Sequence, residues 1–316
     1  MRRRTRRVLP LLLPVVLALG LSSCGDDEGG ESGAAGGLDA VSIEGDLGKA
    51  PEVTWDGRME IDELTSTVLI EGDGAEIGDG DQVMTHIWIG NGYTQEQSFS
   101  SYDNGAAELV TVDEANLSEV FLEGISGQTV GSRVAVAAPA EDAFGEQGNP
   151  QLKIGNKDTV LLVLDLVSGV MEGPEGASSK APAWAPEIVE KGGTPTGLDF
   201  SAAPEPTDEL RSATLVEGEG AEVEKGQTIV VNYLGQVYGG KKPFDESYGK
   251  GAPVSFGIGT GGVIKGWDQT LVGATIGSRV LMAIPPALGY GEEGNSGAGI
   301  KGTDTLYFVV DVLAAG

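Results

Sequence analysis

A chain of 316 residues is too long for one small core and matches two domains of ordinary size. Its 20 Lys+Arg against 48 Asp+Glu give a formal net charge of -28, which argues against nucleic acid and anionic membrane surfaces as electrostatic partners. Aromatic residues make up only 6%, so places where Trp, Tyr and Phe gather carry more information than usual.

The chain opens with Arg2, Arg3, Arg4, Arg6 and Arg7, followed by an apolar run from Val8 to Leu21. The run is too short to span a bilayer comfortably and ends at small residues, the pattern of an export signal. Its end, Leu21-Ser22-Ser23-Cys24, resembles the bacterial lipobox. The resemblance implies a lipoprotein-type signal peptide over residues 1–23, a diacylglyceryl group on Cys24, and anchorage on the outer face of the cytoplasmic membrane. Cys24 is the only cysteine, so no internal disulfide competes for it. Thr5-Arg6-Arg7 leaves the export route open between the general and twin-arginine pathways.

Residues 24–50 are rich in Gly, Asp, Glu and Ala, a composition that predicts a flexible acidic tether. A second stretch, 171–196, carries Pro174, Pro182, Pro186 and Pro195 and predicts a linker. These boundaries leave two folded units, 51–170 and 197–316.

The two units are copies. Glu71-Gly72-Asp73-Gly74-Ala75-Glu76 matches Glu217-Gly218-Glu219-Gly220-Ala221-Glu222 at an offset of 146 residues. At the same offset, Gly131-Ser132-Arg133-Val134 matches Gly277-Ser278-Arg279-Val280, and Phe144-Gly145-Glu146 matches Tyr290-Gly291-Glu292. In the second copy, Thr228–Tyr233, Arg279–Ile284 and Thr305–Leu313 are rich in β-branched and aromatic residues and read as strands. Ile264, Trp267 and Leu271 fall on one face of a short helix. The fold class that follows is α+β, with an antiparallel twisted sheet wrapped on one short helix in each copy.

Five blocks then occur in order: Val231-Asn232-Tyr233-Leu234-Gly235, Lys242 to Ser247, Val263-Ile264-Lys265-Gly266-Trp267, Ala287 to Gly291, and Leu306 to Val312. Together they resemble an FKBP-type peptidyl-prolyl cis-trans isomerase across nearly the whole second copy. The resemblance implies a catalytic cup lined by Tyr233, Phe244, Phe256, Val263, Ile264, Tyr290 and Phe308. It places Trp267 as the floor, Asp245 as the polar edge, and Val254 and Ile300 at the substrate-binding rim. It further implies that the Ile264 N–H and the Tyr290 hydroxyl hold substrate carbonyls, and that the substrates are proline-containing unfolded or exported polypeptides. Rotation about a C–N bond breaks no bond, so neither cofactor nor metal is expected, and a monomer is expected.

Two departures lie on the rim of this copy: Lys250 stands where the family often has an arginine paired with the pocket aspartate, and Asn295 replaces a common histidine. The first copy departs further. Ile87 takes the place of Tyr233, Phe121 that of Trp267, Phe144 that of Tyr290 and Leu162 that of Phe308, and no Asp follows Phe99. A degenerate, non-catalytic binding or spacer domain is expected there.

Other signals read as structure. Gly257–Gly262 is Gly-Ile-Gly-Thr-Gly-Gly, but no βαβ unit surrounds it and no Gly-Lys-Ser/Thr follows, so it is a turn. Asp73, Asp79 and Asp81 lack the register of a calcium loop, and the single histidine, His86, supports neither a triad nor a metal site. The alternative to an isomerase is a non-catalytic peptide-binding or chaperone-like surface lipoprotein.

Overall fold

The computed structural model describes residues 35–316. The signal peptide, Cys24 and the first part of the tether lie outside the described residues.

The first lobe opens with β1 (Ala35–Gly36), a short 3-10 turn, the hairpin of β2 (Val41–Glu44) and β3 (Glu52–Trp55), and β4 (Met59–Glu60). Its sheet is built from β5 (Thr65–Ile70), β6 (Gln82–Asn91), β7 (Glu96–Ser100), β8 (Glu108–Thr111), β9 (Arg133–Pro139) and β10 (Thr159–Gly169). The order is β5-β9-β10-β6-β7, with β8 also pairing β6, and all pairings are antiparallel. Helix α1 (Glu119–Ile125) lies on this sheet, and a second short helix, α2 (Ala140–Phe144), follows β9. The sequence reading had one helix here.

The second lobe repeats the plan. After β11 (Gly176–Ser178) comes the hairpin of β12 (Glu187–Lys191) and β13 (Thr194–Asp199). Its sheet comprises β11, β14 (Arg211–Gly218), β15 (Thr228–Val237), β16 (Asp245–Glu246), β17 (Val254–Gly257), β18 (Arg279–Ile284) and β19 (Leu306–Ala315). The order is β11-β14-β18-β19-β15-β16, with β17 also on β15, and helix α3 (Lys265–Leu271) packs across it.

The central strands are apolar on both faces because both faces are covered. On one side Ile229, Val231, Tyr233, Met282, Phe308 and Val310 meet Trp267 and Leu271 of α3. On the other, Leu234, Leu281, Ala283, Tyr307 and Val309 meet Trp184, Ile188, Leu198 and Phe200 from the preceding hairpin region. The first lobe does the same: Ala135, Ala137, Leu161 and Val163 meet Ala40, Val41, Ile43, Val53 and Trp55.

Two expectations about boundaries change accordingly. Residues 35–50 hold β2 and bury Ala40 completely, so this part of the expected tether is folded, and residue 51 is not a domain start. The expected linker 171–196 contributes β11, which pairs β14, and β12, whose Ile188 packs on the sheet. In both segments a few apolar residues at alternating positions outweigh the Gly, Pro and acid content, because the folded lobe supplies a face for them.

Where the lobes meet, Met84, Ala107, Val230 and Ala314 form a small shared core, flanked by Leu109, Val167 and Val170. Backbone bonds tie the connection down: Val170 N–H donates to Gln82 O (2.9 Å) and Met171 N–H to Leu313 O (3.1 Å).

Candidate functional site

A cavity of about 580 Å³ opens on the second lobe, lined by Tyr233, Phe244, Asp245, Phe256, Val263, Ile264, Lys265, Trp267, Tyr290 and Phe308, with Gly261, Gly262 and Gly289. The elements deliver these groups from five directions. β15 supplies Tyr233, β16 and the turn before it supply Asp245 and Phe244, and β17 supplies Phe256. The N-terminal end of α3 supplies Ile264 to Trp267, and β19 supplies Phe308.

Trp267 is 4% exposed and lies edge-on to three rings: Tyr233 at 5.5 Å, Phe256 at 5.3 Å and Phe308 at 5.3 Å, with interplanar angles of 84°, 77° and 85°. Phe244 closes the set against Phe308 at 5.6 Å. Such edge-to-face contacts hold ring orientation beyond what simple burial does. Two glycines permit the approach. At Gly235 a Cβ would lie 2.6 Å from Phe308 Cε1 and 2.7 Å from Phe244 Cζ, and at Gly266 a Cβ would lie 2.6 Å from Ile284 Cγ2, so α3 can sit down on β18. Gly235 and Gly266 both lie in motifs the sequence displays, but their packing role is visible only from the fold.

The polar edge is a short chain. The Tyr233 hydroxyl donates to Asp245 Oδ2, and Lys250 Nζ donates to Asp245 Oδ1 at 2.9 Å. Burial works to raise the Asp245 pKa, but the hydrogen bonds from Tyr233 and Lys250 outweigh it and hold the carboxyl below its ordinary range. Burial, reinforced by that carboxylate, pushes the Tyr233 phenol well above its ordinary value, so it remains a donor. Lys250 therefore does pair with the pocket aspartate, through a single contact rather than a fork. Tyr290 is 38% exposed at the mouth. The Ile264 N–H, just before α3, has no protein acceptor among the described residues.

All nine residues expected in the cup thus converge on one cavity. The two expected rim residues do not. Ile300 is 4% exposed and belongs to the core, its backbone bridged to Asn295. Val254 pairs with Val231 in β17 and packs partly buried beside that core. Lys265, Gly261, Gly262 and Gly289 line the cavity without having been singled out; their presence in motif blocks and turns was the only available signal.

In the first lobe the equivalent positions are occupied differently. Register shows why. Gly235 faces Asp245 on one side and Phe308 on the other, and Ile89 correspondingly faces Phe99 and Leu162. Phe99 therefore stands where Asp245 stands, which corrects its reading as the counterpart of Phe244. Ile89, at the glycine position, is 5% exposed and fills the space from within. Ile87, Phe99, Leu117, Phe121 and Phe144 are partly buried against the core to which Ile89 belongs.

A ring-walled cavity edged by one phenol–carboxylate pair offers an apolar surface with a polar edge for holding and orienting a chain segment, and its lining contains no nucleophile–base pair for cleaving one. The comparisons agree with that class. The model of the FKBP-type peptidyl-prolyl cis-trans isomerase family matches residues 74–167 and again 219–313. The matches cover more than half of the chain, which belongs to this family and carries two of its domains. An FK506-binding protein of Streptomyces anulatus is 38% identical over 117 residues, covering 37% of this chain and 94% of that protein. The chloroplastic peptidyl-prolyl cis-trans isomerase FKBP13 of Arabidopsis thaliana is 40% identical over 124 residues, covering 37% of this chain and 56% of that protein. The crystal structure of AtFKBP13 is 36% identical, covers 34% of this chain and 93% of its own, and superposes with a TM-score of 0.32.

Proposed function

We propose that the second lobe is the peptidyl-prolyl cis-trans isomerase centre of this chain and that it acts on exported polypeptides from the outer face of the cytoplasmic membrane, held there by lipid on Cys24. The observation that carries the catalytic reading is the convergence of Tyr233, Phe244, Phe256, Trp267 and Phe308 on one open cavity, with Asp245 fixed at its edge. The barrier to rotation is about 18–20 kcal/mol because the peptide C–N bond has double-bond character. Twisting the bond removes resonance and the charge separation that water solvates, so a dry ring-lined cup favours the twisted amide over the planar one. The Ile264 N–H and the Tyr290 hydroxyl hold flanking carbonyls, which brings binding energy from the rest of the peptide to bear on the twist. The neutral Tyr233 phenol and ionised Asp245 fix the cup rather than exchange protons.

The test is magnetisation exchange in a short Ala-Leu-Pro-Phe peptide with the purified chain from Gly25 onward. Phe256→Ala or Tyr290→Ala is expected to lower the catalysed rate about tenfold, near 1.4 kcal/mol of transition-state stabilisation. Exchange at the buffer rate with the unmutated chain would reject the enzyme reading. Metabolic labelling with a radioactive fatty acid tests the anchor: label lost in Cys24→Ser supports it, and label retained rejects it.

The first lobe is proposed as a non-catalytic binding or spacing domain, because Ile89 and Phe99 occupy the places of Gly235 and Asp245.

A further inference from the structure

Two formal charges line the cup, Asp245 and Lys265. Asp245 is neutralised locally by Lys250 and by the Tyr233 hydroxyl. Lys265 has no carboxylate at ion-pair distance among the described residues. Its neighbour within α3, Asp268, gives both carboxylate oxygens to the backbone, accepting from Gly259 N–H at 2.7 Å and Gly261 N–H at 2.9 Å. Lys265 is also exposed and begins α3, where the helix end disfavours a cation. The first lobe, whose cup is filled, has Glu119 at this position. The cup wall thus presents one uncompensated positive charge in a chain of net charge -28.

We propose that Lys265 is a specificity-determining residue that directs the second lobe toward prolines with an acidic side chain immediately beside them. The inference rests on the isomerase reading of the cup. Ile264 and Lys265 are consecutive, so a peptide whose carbonyl is held by the Ile264 N–H passes within reach of the ammonium. The remaining charge of the chain repels an acidic peptide at longer range, so without Lys265 the preference should reverse.

The experiment compares peptides that differ only by Glu against Gln, placed directly before or directly after the proline, with the chain from Gly25 onward at low salt. Both the exchange rate and binding, read by tryptophan fluorescence, are followed. In the unmutated protein the Glu peptide is expected to be favoured about two- to fivefold on one side of the proline, the scale of an exposed ion pair. Lys265→Gln should bring that ratio to one or below, Lys265→Glu should invert it, and molar salt should erase it. A ratio unchanged by Lys265→Gln, or a Gln peptide favoured by the unmutated protein on both sides, overturns the proposal. The ratio is read only in variants that still raise the exchange rate or bind above buffer, and the inversion expected for Lys265→Glu cannot arise from loss of folding, which treats both peptides alike. If no peptide is turned over but the binding ratio still follows Lys265, the isomerase reading fails and the charge selection stands; turnover without a Lys265-dependent ratio is the reverse.

Discussion

At position 235 the second lobe has a glycine whose missing Cβ leaves room for Phe244 and Phe308, while the first lobe has Ile89 and, across the sheet, the smaller Leu162. The difference between an open cup and a filled one therefore runs through one side chain on the strand that also carries Tyr233. Gly235→Ala is expected to displace the two rings, at an overpacking cost of about 1–3 kcal/mol, and to lower the isomerase rate about tenfold or more. Urea denaturation and peptide exchange measure the two effects separately. Adding Phe308→Leu, the residue of the first lobe, should relieve the strain and restore stability without restoring the rate. A single Gly235→Ala variant with full activity would mean that the rings move aside freely and that the glycine does not define the cup.

Each lobe leans on the hairpin that precedes it; the first hairpin strands start at the 146-residue offset, Val41 corresponding to Glu187, but the registers differ, since Val41 pairs with Trp55 and Glu187 with Asp199. In the first lobe, Arg133 is ion-paired to Asp165 at 2.6 Å and donates to the carbonyls of Gly45, Asp46 and Lys49. In the second, Arg279 pairs with Asp311 and reaches Glu190, and the buried Gln236 side chain exchanges hydrogen bonds with both backbone groups of Leu198 at 2.8 and 3.0 Å. A fragment beginning at residue 197 cuts β12 away, leaves Leu198, the partner of Gln236, at a chain end without its hairpin mate, and uncovers the face under Trp184 and Ile188. Residues 171–316 are expected to be more stable than 197–316 by about 3 kcal/mol or more, the loss of two large apolar side chains from the sheet. Equal urea midpoints would show the hairpin to be dispensable. The sequence made the sheet, α3 and the ring set legible, because these lie in blocks with strong apolar periodicity. It hid the hairpins, since Gly192-Gly193 and Pro195 punctuate strands too short to show a pattern. The place of Phe99 was legible from the 146-residue offset, which sets it on Asp245, and the strand register bears that out; Ile300, expected on the rim, is turned into the core by its backbone bridge to Asn295.

The two lobes share a core but not a response to acid. On β6 of the first lobe, His86 is 7% exposed, stacks on Tyr102 with centroids 4.1 Å apart and has Nδ1 3.0 Å from Ser101 Oγ. Burial lowers its pKa from 6.5, against a smaller opposing pull from the Asp165 carboxylate. The second lobe has Asn232 in the same place, which cannot titrate. With the folded value depressed, the unfolded chain takes up a proton below pH 6.5 that the folded chain refuses until lower pH. Stability from this group is complete above pH 6.5 and is lost as the pH falls toward and through the depressed folded value. Met84, two residues before His86 on the same strand, lies in the interlobe core with Val230 and Ala314, so loosening β6 also loosens the packing of one lobe on the other. The expected outcome is a urea midpoint that drops between pH 7.5 and 5.5, and a shallower drop in His86→Asn, which copies the second lobe. Carboxylates contribute equally to both proteins, so the difference in slope isolates the imidazole. Parallel slopes would mean that His86 is hydrated enough to titrate alike in the folded and unfolded chains, and that the acid response of the molecule lies elsewhere.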